Sequence, residues 1–141
     1  MTRVGAQVIE CPYCENKQEV TVWHSVNVSM HQDLKKRLLD MEINTYSCNK
    51  CGKKVFINTP LLYHDMEQKF CVQYYPAEMM KDPSFFRLFN TDGSFNMDTS
   101  KILELSEDYV LKPHIVFDMT ELLRYVLFRD GIKEEGKKRE H

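Results

Sequence analysis

Hydrophobic and polar positions alternate along residues 19–29. Val20, Val22, Val26 and Val28 fall on one face at every second position, with His24 among them, while Thr21, Trp23, Ser25 and Asn27 fall on the other. Period two with β-branched residues predicts a strand. The period then lengthens. Leu34, Leu38 and Met41 recur at helical spacing with Leu39 beside them, and Lys35, Lys36, Arg37, Asp40 and Glu42 lie off that stripe. Ser29 and Gln32 stand in capping-box register, so a helix is expected to start there and to end near Asn44.

Further strands are expected before the first cysteines, over residues 6–10, and in KKVFINT after residue 52. LLYHDMEQKFCVQYY reads as a hairpin with strands over 61–64 and 69–75 and a turn around Asp65–Gln68. After Pro76 the pattern weakens. DPSFFRLFN suggests a short helix after Pro83, NTDGSFN a turn, SKILELS a short helix and KPHIVF a short strand. The last strong pattern is DMTELLRYVLFRDG. Asp118 is suited to cap its start and Gly131 to end it, so a helix is expected over 119–130 with Leu122, Val126 and Arg129 on one face. The remaining IKEEGKKREH reads as a solvated charged tail.

Composition narrows the class of molecule. The chain has 141 residues, 43% of them hydrophobic, which is enough to build a core. A formal net charge of -2 lacks the basic excess that dominates nucleic-acid affinity, so nucleic acid is a possible but not a favoured partner. No run of about twenty apolar residues is present, so no membrane-spanning helix is expected. The opening MTRVGAQVIECPYC lacks the long apolar stretch of a secretory signal. With five cysteines, an odd number, the expected setting is the reducing cytoplasm.

Four of the cysteines form a pattern: Cys11-Pro-Tyr-Cys14, and later Cys48-Asn-Lys-Cys51-Gly52. A C-x-x-C turn aims two sulfurs at one point, and two such turns brought together make the tetrahedral sulfur cage that zinc prefers. Pro12 stiffens the first turn. Gly52 permits a positive φ after Cys51, which would let its amide turn back toward sulfur. Lys17, Lys50, Lys53 and Lys54 flank the pairs and would offset the charge of a four-thiolate site. The cofactor expected is one structural Zn2+ held by Cys11, Cys14, Cys48 and Cys51. A redox dithiol fits less well, because both pairs lie between strands. An iron–sulfur centre would use the same ligands. Four protein ligands leave no open coordination position, so such a site stabilises and does not activate water. Removal of the ion is expected to unfold at least residues 8–76.

These residues resemble the CpXC family of small prokaryotic proteins. The resemblance rests on CPYC, on VWHSVNV before the helix, on SCNKCGKKVF, and on NTPLLYHD with YYP, over residues 7–76; HIVFDMTELLRYVLF matches more loosely. It implies a zinc-binding protein without an assigned biochemical activity. Family members often carry glycine after the first cysteine pair. Here Glu15 stands in its place, which implies a looser turn.

The fold expected is α+β: a zinc ribbon enlarged by a strand–helix insertion and a β-hairpin, with C-terminal helices packed on the sheet. The expected organisation is a zinc-binding region over 7–76, an extension packed on it over 77–130, and the tail over 131–141. His24 reads as a core or boundary histidine, or else as a donor near the thiolates. His64 and Asp65 read as turn chemistry, and Cys71 as a small buried apolar group. Trp23, Tyr63, Tyr74 and Tyr75 read as sheet packing, with an exposed binding surface as the alternative. The Met-rich set reads as filler. Without a catalytic constellation, the chain is expected to be a non-enzymatic protein-interaction module with a protein partner. The alternative is a nucleic-acid-binding ribbon using Lys50, Lys53, Lys54, Lys35, Lys36 and Arg37. An enzyme would need His24, His64, His114 and Asp118 to converge in a cleft.

Overall fold

A computed structural model describes residues 2–96 and 108–139; the helix expected in SKILELS lies outside them. The elements are β1 (Arg3–Glu10), β2 (Lys17–Asn27), α1 (Gln32–Leu39), β3 (Thr45–Ser47), β4 (Lys54–Phe56), β5 (Leu61–Asp65), β6 (Phe70–Tyr74), β7 (His114–Val116) and α2 (Met119–Arg139). Short 3-10 turns at Ala77–Lys81, Pro83–Leu88 and Asp108–Leu111 link β6 to β7. The architecture is mixed α+β. A five-stranded sheet runs in the order β1-β2-β5-β6-β7, and β3 and β4 form a separate two-stranded sheet. In the large sheet β1–β2 and β5–β6 are antiparallel, whereas β2–β5 and β6–β7 are parallel.

Alternation in β5 and β6 divides their side chains between two faces. Leu61, Tyr63, Phe70, Val72 and Tyr74 join the main core with Val26 and Val28 of the β2 end, Leu34 and Leu38 of α1, and Leu122 and Val126 of α2. Phe70 meets Tyr125 edge to face, and Arg129 caps the Phe70 ring 4.5 Å from its centroid. His64, Cys71 and Gln73 occupy the opposite face and are also buried. His64 Nε2 and the Tyr109 hydroxyl are 2.7 Å apart. Burial pushes the Cys71 thiol up to about 12, as suits a small apolar filler.

Both helix ends differ from the sequence reading. Ser29 does not cap α1: its hydroxyl accepts the Met66 and Glu67 amides of the β5–β6 turn, at 2.8 and 3.3 Å. Asn27 organises the strand exit instead, its Oδ1 accepting the Ser29 and Met30 amides. The helix stops at Leu39, short of Asn44. Met41 takes φ +62°, and the Glu42 and Met41 amides bond Arg37 and Leu38 carbonyls, a Schellman closure made without glycine. Met41 is therefore 43% exposed and leaves the expected apolar stripe.

At the other end α2 runs through Gly131 to Arg139, so the expected stop and charged tail are replaced by helix. A glycine within a helix costs about 1 kcal/mol, which its surroundings offset. Asp130 bonds Lys35 at 2.8 Å and Gln68 at 3.0 Å, and Lys133 reaches Glu67 at 2.6 Å, on both sides of the glycine. Lys137, Lys138 and Arg139 then sit at the negative end of the helix dipole. The start matches expectation: Asp118 Oδ1 accepts the Thr120 amide at 2.7 Å. Among the described residues no helix is long and apolar enough to cross a membrane.

The paired cysteine turns form a candidate metal centre

Each C-x-x-C lies at the tip of a hairpin, Cys11 and Cys14 between β1 and β2, Cys48 and Cys51 between β3 and β4. The two turns have the same backbone wiring. Cys11 N–H donates to the Asn16 carbonyl at 2.8 Å, and Cys48 N–H to the Lys53 carbonyl at 2.9 Å. Glu15 and Gly52 amides close back on the Cys11 and Cys48 carbonyls, both at 2.9 Å. Gly52 has φ +75° and Glu15 has φ +64°. Glu15 thus takes the left-handed conformation that glycine serves without strain, and the first turn is as closed as the second rather than looser. The Gly52 amide faces a carbonyl. The amides that bond the Cys48 sulfur are those of Cys51 and Lys50.

The four sulfurs converge. Cys11 Sγ lies 3.8 Å from Cys51 Sγ, Cys14 Sγ lies 3.6 Å from Cys48 Sγ, and all four lie within 4.8 Å of one another. A metal–sulfur bond of about 2.3 Å in a regular tetrahedron places its sulfurs about 3.8 Å apart, so the donor set fits one ion. These spacings are far beyond an S–S bond of about 2.05 Å. They suit a single ion better than a multi-iron core, whose cysteines would lie farther apart. Cys11 and Cys48 are buried and Cys51 is exposed, so one side of the cage meets solvent.

The thiols are unequal. Cys51 and Lys50 backbone amides stabilise the Cys48 thiolate and, against the opposing effect of burial, pull it down to about 6. The Asn16 amide favours the Cys14 thiolate, but burial and hydrogen bonding to the other three thiols outweigh it and push Cys14 up to about 11. A second thiolate beside the first is repelled unless a cation lies between them, and a coordinated thiol is deprotonated outright.

Polar side chains outside the cage tie the hairpins together. Asn16 Nδ2 donates to Asn49 Oδ1 at 2.6 Å and lies 3.8 Å from Cys48 Sγ, and Asn49 N–H donates to Gln18 Oε1 at 2.9 Å. Asn16 and Gln18 belong to the first hairpin and Asn49 to the second, so the latch holds the two turns in register. Sequence reading passed over all three, since isolated amides carry no spacing signal. It also passed over Tyr46, which packs against this cluster with its hydroxyl buried and, among the described residues, without a hydrogen-bond partner. Burial, then the four neighbouring cysteines, raises the Tyr46 hydroxyl above its usual range.

Other candidates lie elsewhere. His24 is exposed and sits 3.4 Å from the Gln7 amide; the side chain that reaches a cage sulfur is Asn16. Asp65 accepts the Gln68 amide at 2.8 Å, the expected turn chemistry. His114 stacks on Tyr125 with centroids 4.0 Å apart, and Asp118 caps α2, so His64, His24, His114 and Asp118 are engaged separately. Tyr63, Tyr74 and Tyr75 are buried and Trp23 is half-buried, so packing rather than an exposed aromatic surface describes them. Of the basic set, Lys35 pairs with Asp130, Arg37 lies over Trp23 at 5.6 Å, and Lys53 lies over Tyr13 at 4.6 Å. Among the described residues, the four cysteines are the one group of three or more metal-ligating side chains that converges.

The CpXC protein family profile matches residues 9–135, extending the resemblance through β7 and most of α2. No curated protein and no solved structure matches the chain. With the family's cysteine pairs assembled into one cage and the match spanning both the cage and the sheet that carries it, the chain belongs to the CpXC family.

Proposed function

We propose that the cage holds one structural Zn2+ and that the protein is a non-enzymatic module that binds another protein. The observation that carries the metal assignment is the cross-turn sulfur spacing of 3.6 and 3.8 Å, the edge of a zinc–thiolate tetrahedron. Zinc suits an all-thiolate tetrahedron and brings no redox chemistry. Its role is to hold the two hairpins as one rigid arm. Two exposed apolar regions support the partner reading: Met80, Phe86 and Leu88 around the 3-10 turns, and Leu127, Phe128 and Ile132 on α2.

Elemental analysis and affinity capture from the native host test the two halves of the proposal. One zinc per chain is expected, together with a protein partner that is retained by the wild type and lost from Phe86→Asp or Phe128→Asp. A salt titration against single- and double-stranded nucleic acid separates the competing reading. Affinity that falls steeply with salt would replace the protein partner with a nucleic acid.

A further inference from the structure

β1 is an edge strand whose outer side is unpaired among the described residues, and its register with β2 sets its hydrogen-bonding parity. Cys11 N–H bonds the Asn16 carbonyl, and every β1–β2 pair from Val4–Trp23 to Glu10–Lys17 continues that register. Antiparallel ladders alternate, so Gly5, Gln7 and Ile9 turn their N–H and C=O toward β2. Val4, Ala6, Val8 and Glu10 turn theirs outward. The far side of β2 agrees. Trp23, opposite Val4, gives its N–H and C=O to the Asn44 side chain rather than to β1.

This edge lacks the usual protection. Exposed edges are blunted by proline, lysine, a central bulge or short length. β1 is eight residues long and reads RVGAQVIE, with no proline or lysine, and its irregularity lies at the Arg3/Val4 end. Val4 is 50% and Val8 66% exposed. The opposite edge of the sheet, β7, has three residues.

We propose that the β1 edge pairs antiparallel with β1 of a second copy of this chain, about a two-fold axis at Ala6. Parity restricts the register, because only outward-turned residues can face one another in hydrogen-bonded pairs. The register that overlaps every β1 residue would set Ala6 against Gln7′ and is therefore forbidden. Of the two registers displaced by one residue, one sets Val4 against Glu10′. The other sets Val4 against Val8′ and Ala6 against Ala6′, each pair exchanging two backbone hydrogen bonds. The second joins the apolar positions into one strip and opposes no like charges, since Arg3 faces Ile9′ and Glu10 faces Thr2′. The surface is self-complementary, and an isologous contact needs that property. The inference concerns the hairpin backbone and does not depend on which ion fills the cage or on the partner proposed above.

The test is sedimentation of the full, metal-loaded chain over a concentration series. The interface is small, so reversible dimerisation is expected with a dissociation constant of about 10–1000 μM. Ala6→Pro removes an N–H that turns away from β2 and bonds nothing among the described residues. It is expected to weaken the dimer about tenfold or more while metal content stays unchanged. Ala6→Lys and Ala6→Glu place like charges face to face across the axis, so each alone is expected to be monomeric. An equimolar mixture is expected to form the mixed dimer. A wild type that stays monomeric at about 1 mM, an Ala6→Pro chain that associates like the wild type, or charge variants that fail to associate when mixed would each overturn the proposal.

Discussion

The molecule has two regions built on different physics. The body consists of β5, β6, β7, α1, α2 and the end of β2, and it encloses a continuous core from Val26 to Val126. The arm consists of the β1–β2 hairpin and the β3–β4 sheet. Its buried apolar residues, among those described, form two small groups, one of Cys11, Cys48 and Val55, the other of Val20, Val22 and Ile57. Burial of apolar surface sustains the body. The arm has too little of it, and its hairpins meet through four sulfurs and an amide latch. Stability is therefore distributed unevenly, and an ion held in the cage would act on one region.

The largest effect should come from removing that ion. A structural thiolate site contributes on the order of 10 kcal/mol at neutral pH, comparable to the net stability of a whole domain. Hydrogen exchange after chelation is expected to lose protection over 3–24 and 45–57 while 61–74 and 119–130 stay protected. This narrows the sequence-based expectation of unfolding over 8–76, because β5 and β6 lie inside the main core. Uniform loss of protection would erase the distinction between the regions.

The converse perturbation targets the body. Leu122 is fully buried against the sheet, and Leu122→Ala is expected to destabilise the loaded protein by about 2–5 kcal/mol in denaturant titration. Metal content in the native baseline should not change. Loss of zinc from the folded variant would mean that the two regions are not separable.

Asn44 is the joint between them. It is buried, its side chain bonds both backbone groups of Trp23, and its carbonyl accepts the Ile57 amide at 2.7 Å. Asn44→Ala leaves two backbone groups of β2 without partners and places alanine at φ +57°, so a loss of about 2–4 kcal/mol is expected. Exchange should rise first at Trp23 and Ile57. The smallest effect belongs to the latch. Asn16→Ala removes its bond to Asn49, and transfer of zinc to a chelator is expected to speed up about tenfold, with stoichiometry unchanged.

What the sequence revealed follows the same division. The cysteine turns were legible because their chemistry fixes the spacing, and the β2 and α2 patterns because Val20, Val22 and Val26 of β2 and Leu122 and Val126 of α2 are buried at the expected period. The full length of β1 was hidden, since an exposed edge strand needs no clean alternation. The end of α1 was hidden because Met41 performs a turn usually marked by glycine, and Gly131 misled because long-range bonds from Asp130 and Lys133 carry the helix past it. Asn44 and Asn16 were invisible for another reason. Their roles depend on partners 21 and 33 residues away, which periodicity does not encode.

X-ray absorption at the metal edge of the purified chain addresses the sulfur cage most directly. One zinc per chain with four sulfur neighbours at about 2.3 Å is the expected result. A shell containing nitrogen or oxygen, or only two sulfurs, would mean that the hairpin tips do not share an ion.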